Sequence, residues 1–134
     1  MIPSTNEILL TDLETETQPS LNHQMIIDKN IINGKCDNLE AMQQVIYKIL
    51  HTERFQYIIY SWNYGIELDD LFGMPVYWVC PELERRIEEA LLQDDRILSV
   101  DEYVYDLTEK RVVKVNFTVH TIFGDVDEEL AVNY

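Results

Sequence analysis

The feature that most constrains the fold is a strict alternation of side chains along residues 112–122. Every second position is apolar and the positions between are polar: Val113, Val115, Phe117 and Val119 against Lys114, Asn116, Thr118 and His120. Because successive side chains of a strand point to opposite faces, the pattern predicts an antiparallel strand with one buried face and one wet face. A sheet of this kind needs a second layer that covers its apolar face.

Two segments have the periodicity of amphipathic helices that could form this layer. The first is predicted from about residue 38 to 51, where Asp37 and Glu40 have capping-box spacing. The second is predicted to begin at Pro81, because a proline at the first helical position loses no hydrogen bond. Their apolar stripes are Leu39, Met42, Ile46, Ile49 and Leu50, and Leu83, Ile87, Ala90 and Leu91.

The remaining segments complete an α+β prediction. Residues 55–64 are rich in aromatic and β-branched side chains and predict a strand, with Ile58, Tyr60, Trp62 and Tyr64 on one side. We also predict a strand or short hairpin at 24–33, a short helical turn at 66–72, and strands at 97–105 and 126–134. The order predicts a small antiparallel or mixed β-sheet with two main helices packed on one face.

The charge is strongly acidic and uneven along the chain. The formal net charge is −15, so we expect neither nucleic acid nor a membrane surface as a partner. Residues 1–22 and 124–134 each hold four acidic residues and no Lys or Arg. At 134 residues the chain predicts one domain at 23–124. It is flanked by an acidic N-terminal arm (1–22) and an acidic C-terminal segment (125–134), a possible edge strand.

The chain offers no recognisable cofactor site. His23, His51 and His120 lack metal-ligand spacing, and Cys36 and Cys80 are far apart and predicted to be reduced core residues. The isolated glycines form no phosphate-binding loop. We also see no signal peptide and no apolar run of membrane-spanning length. We therefore expect no cofactor and no metal.

An enzymatic interpretation would rest on a pair of carboxylates. Glu53 follows the first helix, and Asp69 and Asp70 follow the aromatic segment, so two of them could form a glycosidase pair. Arg54, however, would hold a neighbouring carboxylate ionised. Such a pair also arises easily by chance in a chain with 25 acidic residues. We predict that the protein is not an enzyme.

The same region has two further interpretations. Tyr60, Trp62 and Tyr64 either line the core face of a sheet or act as anchors in a protein interface. Arg54 forms either a surface ion pair with little effect or a bidentate anchor for a partner.

From residue 24 to 124 the sequence resembles a known family. The stretches that carry the resemblance are Leu39-Glu40-Ala41, Ile46-Tyr47-Lys48-Ile49-Leu50, Thr52-Glu53-Arg54-Phe55, Tyr60-Ser61-Trp62-Asn63-Tyr64-Gly65-Ile66-Glu67-Leu68, Pro81–Ile87, Glu89–Ile97 and Phe117–Thr121. They resemble the small baseplate wedge proteins of contractile phage tails and phage-tail-like bacteriocins, in the PBSX-type branch. The broader family includes the T4-type wedge subunit long labelled a lysozyme.

The resemblance implies that the protein is a structural component of a virion or tail-like particle, which is assembled in the bacterial host cytoplasm. One copy in each of six wedges would contact the helical core bundle of the larger wedge proteins. It would also start the tail sheath through β-strand edges, and tail tube or hub proteins are possible further partners. The family's Glu-Pro-Arg or Gly-Glu-Arg element corresponds to Glu53 and Arg54, here preceded by Thr52.

These implications define two sets of site residues. The wedge contact is predicted at Glu53, Arg54, Tyr60, Trp62 and Tyr64. The sheath contact is predicted at a strand edge carrying Val126, Leu130 and Val132. We expect both acidic ends to become ordered only through neighbours in the assembly. The alternatives are a peptidoglycan-cleaving, lysozyme-like enzyme and a regulatory protein-binding module of the same fold.

Overall fold

A computed structural model describes residues 19–134, so most of the predicted N-terminal arm lies outside the described residues. The elements are strands β1 (Asn22–Ile26) and β2 (Ile31–Cys36), helices α1 (Asn38–Leu50) and α2 (Val76–Leu91), and strands β3 (Ile97–Asp106), β4 (Val112–Thr121) and β5 (Gly124–Asn133). The strands form an antiparallel β1–β2 hairpin and an antiparallel β3–β4–β5 sheet. The predicted α+β class is confirmed.

The alternating segment forms β4, the central strand of the larger sheet. Val113, Val115 and Val119 are fully buried and Phe117 nearly so, as predicted. Helix α1 contacts β5, and helix α2 contacts β3 and α1. The two helices therefore supply the second layer that the one-sided strand requires.

The C-terminal segment forms β5 at the edge of this sheet. It pairs with β4 along its whole length, and Val126, Leu130 and Val132 are buried in the common core. The expectation that only neighbouring proteins order this end is therefore wrong. Its three buried side chains supply enough of an apolar face to attach it to its own chain.

The two helices differ in how well their starts were predicted. Asp37 is the N-cap of α1, although its carboxylate accepts from the N–H of Asn38, at 2.7 Å, rather than from that of Glu40. Helix α2 begins at Val76 rather than at Pro81, which lies inside it. Burial of Val79 extends the stripe of α2 by one turn, and this outweighs the hydrogen bond that Pro81 cannot donate.

The strand predicted at residues 55–64 is wrong. The segment forms successive turns, in which the N–H of Tyr60 donates to the carbonyl of Tyr57 at 3.4 Å and that of Tyr64 to Ser61 at 3.1 Å. A strand must pair its backbone groups with a neighbour, and this segment pairs with neither sheet of the described region. The helical turn predicted at 66–72 is present as a short 3₁₀ turn, Asp69–Leu71. No helix in residues 19–134 is long and apolar enough to cross a bilayer.

Candidate partner-binding surfaces

The connection from α1 to α2 contains a loop, residues 52–66, that is closed at its base. The N–H of Arg54 donates to the carbonyl of Ile66 at 3.1 Å, and the N–H of Ile66 donates to the carbonyl of Thr52 at 3.0 Å. Gly65 has a φ of +92°, and a Cβ there would lie 2.5 Å from the Thr52 carbonyl oxygen. Only glycine therefore allows the two ends of the loop to approach this closely.

The side chain of Arg54 stabilises this base by hydrogen bonds. Its Nε and Nη2 donate to the carbonyl of Gly65 at 3.3 and 3.2 Å, and its Nη1 donates to Glu89 of α2 at 2.9 Å. The side chain is only 9% exposed. The guanidinium also holds the pKa of the Glu89 carboxyl below its usual value. Arg54 thus makes its hydrogen bonds within its own chain.

Glu53 caps the turn that follows the base. Its carboxylate accepts from the N–H of Leu68 at 3.0 Å and from that of Asp69 at 3.3 Å. Burial raises the pKa of Glu53, and the nearby charges of Asp69 and Asp70 add to the rise. Asp70 instead pairs with Arg86, which lowers the pKa of Asp70. Two of the three carboxylates considered for catalysis are thus engaged in structural contacts.

The tip of the loop presents apolar side chains to solvent. Ile58 is fully exposed, and Ile59 and Trp62 are 86% and 80% exposed. Tyr60 stacks on Tyr64 with ring centroids 4.4 Å apart, so these two predicted site residues lie together. Isolated exposed apolar residues are ordinary, but a cluster of this kind typically marks an interaction site.

Sequence reasoning missed the two isoleucines because a strand would have placed them on opposite faces. The lack of charge was a signal that could have indicated an exposed apolar surface here. Residues 55–66 contain no charged residue in a chain of net charge −15. Residues 71–81 form a second uncharged run, and its side chains Phe72, Met74 and Tyr77 are also exposed.

The β3–β4–β5 sheet offers two edges of different regularity. The β4–β5 register is uninterrupted from Val112–Asn133 to Thr121–Gly124. The β3–β4 register is broken twice, and Glu102 at the second irregularity has a φ of +57°. Strand β5 therefore presents the straighter edge.

The predicted sheath-contact residues on β5 point inward. Val126, Leu130 and Val132 are at most 4% exposed, whereas Asp125, Asp127 and Glu129 lie on the solvent side. A partner at this edge would meet main-chain groups and acidic side chains. Within residues 19–134 no group of His, Cys, Asp and Glu side chains is arranged to hold a metal ion.

Comparison with known proteins identifies the family of the chain. A family model described as contractile injection system sheath initiator matches residues 11–124. The phage-like element PBSX protein XkdS of Bacillus subtilis (strain 168) is 33% identical over an alignment of 132 residues, with 93% of each chain covered. The family model covers both helices, the loop and strands β3 and β4, and it ends at Gly124, where β5 begins. The chain therefore belongs to the family of contractile injection system sheath initiators.

Proposed function

We propose that this protein is a non-enzymatic baseplate component of a contractile tail or tail-like particle. It binds the larger wedge proteins through the tip of loop 52–66 and starts the sheath by accepting a β-strand at β5. Six copies would surround the tail tube, one in each wedge. The observation that carries the proposal is the uninterrupted outer edge of β5 in a member of the sheath initiator family.

Strand addition suits β5 better than β3. An added strand needs a regular row of N–H and C=O groups, which β5 provides and which the two irregularities of β3 interrupt. Exposed edges are aggregation hazards that proteins often blunt with charge. Asp125, Asp127 and Glu129 supply such charge here. A sheath segment carrying Lys or Arg would neutralise it, which favours the intended partner over self-association.

The buried positions of Val126, Leu130 and Val132 refine the sheath contact. These side chains hold β5 on the core, and the strand would contact the sheath through its main chain and outward carboxylates. Deleting residues 125–134 would therefore uncover the core as well as remove the contact.

A charge reversal tests the sheath contact without that complication. In D127K/E129K we expect baseplates with tubes but without sheath when tails are assembled and examined by electron microscopy. The matched control is D28K/D95K, which makes the same charge change at two exposed sites elsewhere. Fully sheathed tails from a folded D127K/E129K protein would refute the contact.

The wedge contact is assigned to the exposed tip of the loop. Trp62, Ile58 and Ile59 provide rigid apolar area of the kind that dominates interface energies. Glu53 and Arg54 support the tip by closing its base, and Tyr60 and Tyr64 stack behind it. In this arrangement the family's Glu and Arg act by positioning the loop.

Co-purification with the larger wedge proteins tests this contact. We expect I58S/I59S to lose the complex while its thermal unfolding stays close to that of the wild type, because both side chains are exposed. The control L92S/L98S removes two exposed apolar side chains outside the loop and should retain the complex. Retention by I58S/I59S would place the contact elsewhere.

Zymography on peptidoglycan tests the non-enzymatic part of the proposal. We expect no clearing by the purified chain, because Glu53 is engaged with backbone N–H groups. Clearing that disappears in E53Q would establish the lysozyme-like alternative instead.

A further inference from the structure

His120 lies between two carboxylates on the outer face of the three-stranded sheet. It belongs to the central strand β4. Its Nε2 is 2.8 Å from Oδ1 of Asp101 on β3, and its Nδ1 is 2.7 Å from Oδ1 of Asp125 on β5. One imidazole ring therefore joins both edge strands to the central strand.

The protonation state of the His120 ring decides whether both contacts are hydrogen bonds. An ionised carboxylate only accepts, and a neutral imidazole has a single N–H, so it can donate to one of the two aspartates. The imidazolium donates to both. The contacts with Asp125 and then with Asp101 raise the pKa of His120 above its usual value.

Further carboxylates near His120 strengthen the stabilising effect of a positive charge on its ring. Two more carboxylates face the outer side of β4: Glu102 from β3 and Asp127 from β5, which lie 3.1 and 2.8 Å from the hydroxyl of Thr118. Lys114 on the same strand pairs with Glu109 at the far end, at 2.6 Å. When His120 is neutral, the four carboxylates repel one another without its positive charge between them.

We propose that His120 is a pH-operated staple, which links β3 and β5 to β4 through its side chain when protonated and keeps a hydrogen bond to only one of the two edge strands when neutral. The folded-state pKa is raised, so the stabilisation is complete below the unfolded-state value of about 6.5. It is lost as the pH rises through the folded-state pKa. The staple operates in the isolated chain, whatever partner the sheet takes up.

Nuclear magnetic resonance on the isolated full chain tests the staple. We expect the His120 ring to titrate with a midpoint above about 6.5, and D125N to lower that midpoint because it removes one charge and keeps the shape. Amide hydrogen exchange in β3 and β5, corrected for the intrinsic effect of pH, should be severalfold faster above the midpoint than below it.

Two variants complete the test. H120Q should exchange at the faster rate on both sides of the midpoint, whereas H23Q, altered on the other sheet, should follow the wild type. If H120Q folds poorly, D125N provides the test instead, because the change in amide exchange in β3 and β5 should then follow its lowered midpoint. A His120 midpoint at or below 6.5, or exchange in β3 and β5 that ignores the midpoint, would overturn the proposal.

Discussion

Loop 52–66 and the β3–β4–β5 sheet use similar residues for opposite purposes. Both are rich in aromatic and β-branched side chains, which alternate with polar ones along β4 and, in the loop, along residues 60–64. In the sheet these side chains point inward, and Val115 and Val119 are fully buried; in the loop Ile58 is fully exposed. The difference teaches that alternation reports a preference for pairing, while the presence of neighbouring strands decides whether a sheet forms. Apolar residues without such neighbours remain available to another protein.

The sharpest test of the comparison removes one large aromatic side chain from each region. Phe117→Ala in β4 should lower the free energy of unfolding by about 3–5 kcal/mol, because it leaves a cavity in the core. Trp62→Ala in the loop should change it by less than about 0.5 kcal/mol, because the side chain is already 80% exposed. Urea denaturation followed by circular dichroism measures both. Similar losses in the two variants would show that the loop is part of the core.

A second test asks whether the loop depends on its closed base. Gly65→Ala should cost about 2–3 kcal/mol, because the new Cβ meets the Thr52 carbonyl in a backbone conformation that suits glycine. Gly73→Ala is the matched control, since its φ is +86° but nothing lies within 4 Å of the added atom. It should cost only about 1 kcal/mol. Equal losses in thermal denaturation would mean that the close approach is relieved elsewhere.

A third test separates a bracing arginine from a surface arginine. Arg54→Ala should destabilise the protein by about 1–2 kcal/mol, because it leaves the Gly65 carbonyl without its charged donor. Arg85→Ala removes only exposed ion pairs within α2 and should cost about 0.2–0.5 kcal/mol. Arg54→Ala should also weaken wedge binding through a disordered loop. Unchanged stability with lost binding would instead indicate that Arg54 contacts the partner directly.

The smallest expected effect concerns the charge of Glu53. Glu53→Gln keeps an oxygen that can accept from the N–H of Leu68, so stability at pH 7 should stay within about 0.5 kcal/mol of the wild type or rise slightly. The pKa of Glu53 is raised by burial, so the folded wild type favours the protonated form. The stabilisation that the wild type gains from protonated Glu53 is complete below the unfolded-state pKa. It is lost as the pH rises through the folded-state pKa.

The variant lacks this titration. Its stability relative to the wild type should therefore improve between pH 4 and pH 7 in parallel urea titrations. If the stability of E53Q fell relative to that of the wild type over this interval, the ionised carboxylate would be the favoured form in the folded protein.

The fold was predictable where local pattern and tertiary packing agree. The alternation of residues 112–122 and the helical stripe at 38–51 each match a buried face, so β4 and α1 appear close to their predicted bounds. The start of α2 was missed because Pro81 is a strong local signal that burial of Val79 overrides. The loop was missed because its conformation depends on Gly65 meeting Thr52, a contact that no periodicity reveals.

The candidate surfaces were predictable only in outline. The resemblance pointed to Glu53, Arg54 and the aromatic residues after them, and the structure gathers these in one loop. It could not show that the guanidinium of Arg54 turns inward or that Ile58 and Ile59 form the tip. On β5 the strand itself was predicted, but Val126, Leu130 and Val132 were assigned to the partner, whereas they cover the core of their own chain.

The order of the strands has a consequence for how quickly the protein becomes ready for assembly. Each strand pairs only with its neighbour in sequence, and two residues separate β4 from β5. Such hairpins between strands that are neighbours in sequence form on a timescale of about 1–10 μs. We therefore expect each subunit to complete its fold long before it meets a partner. The rate at which a first sheath ring appears should then follow the concentration of folded subunits.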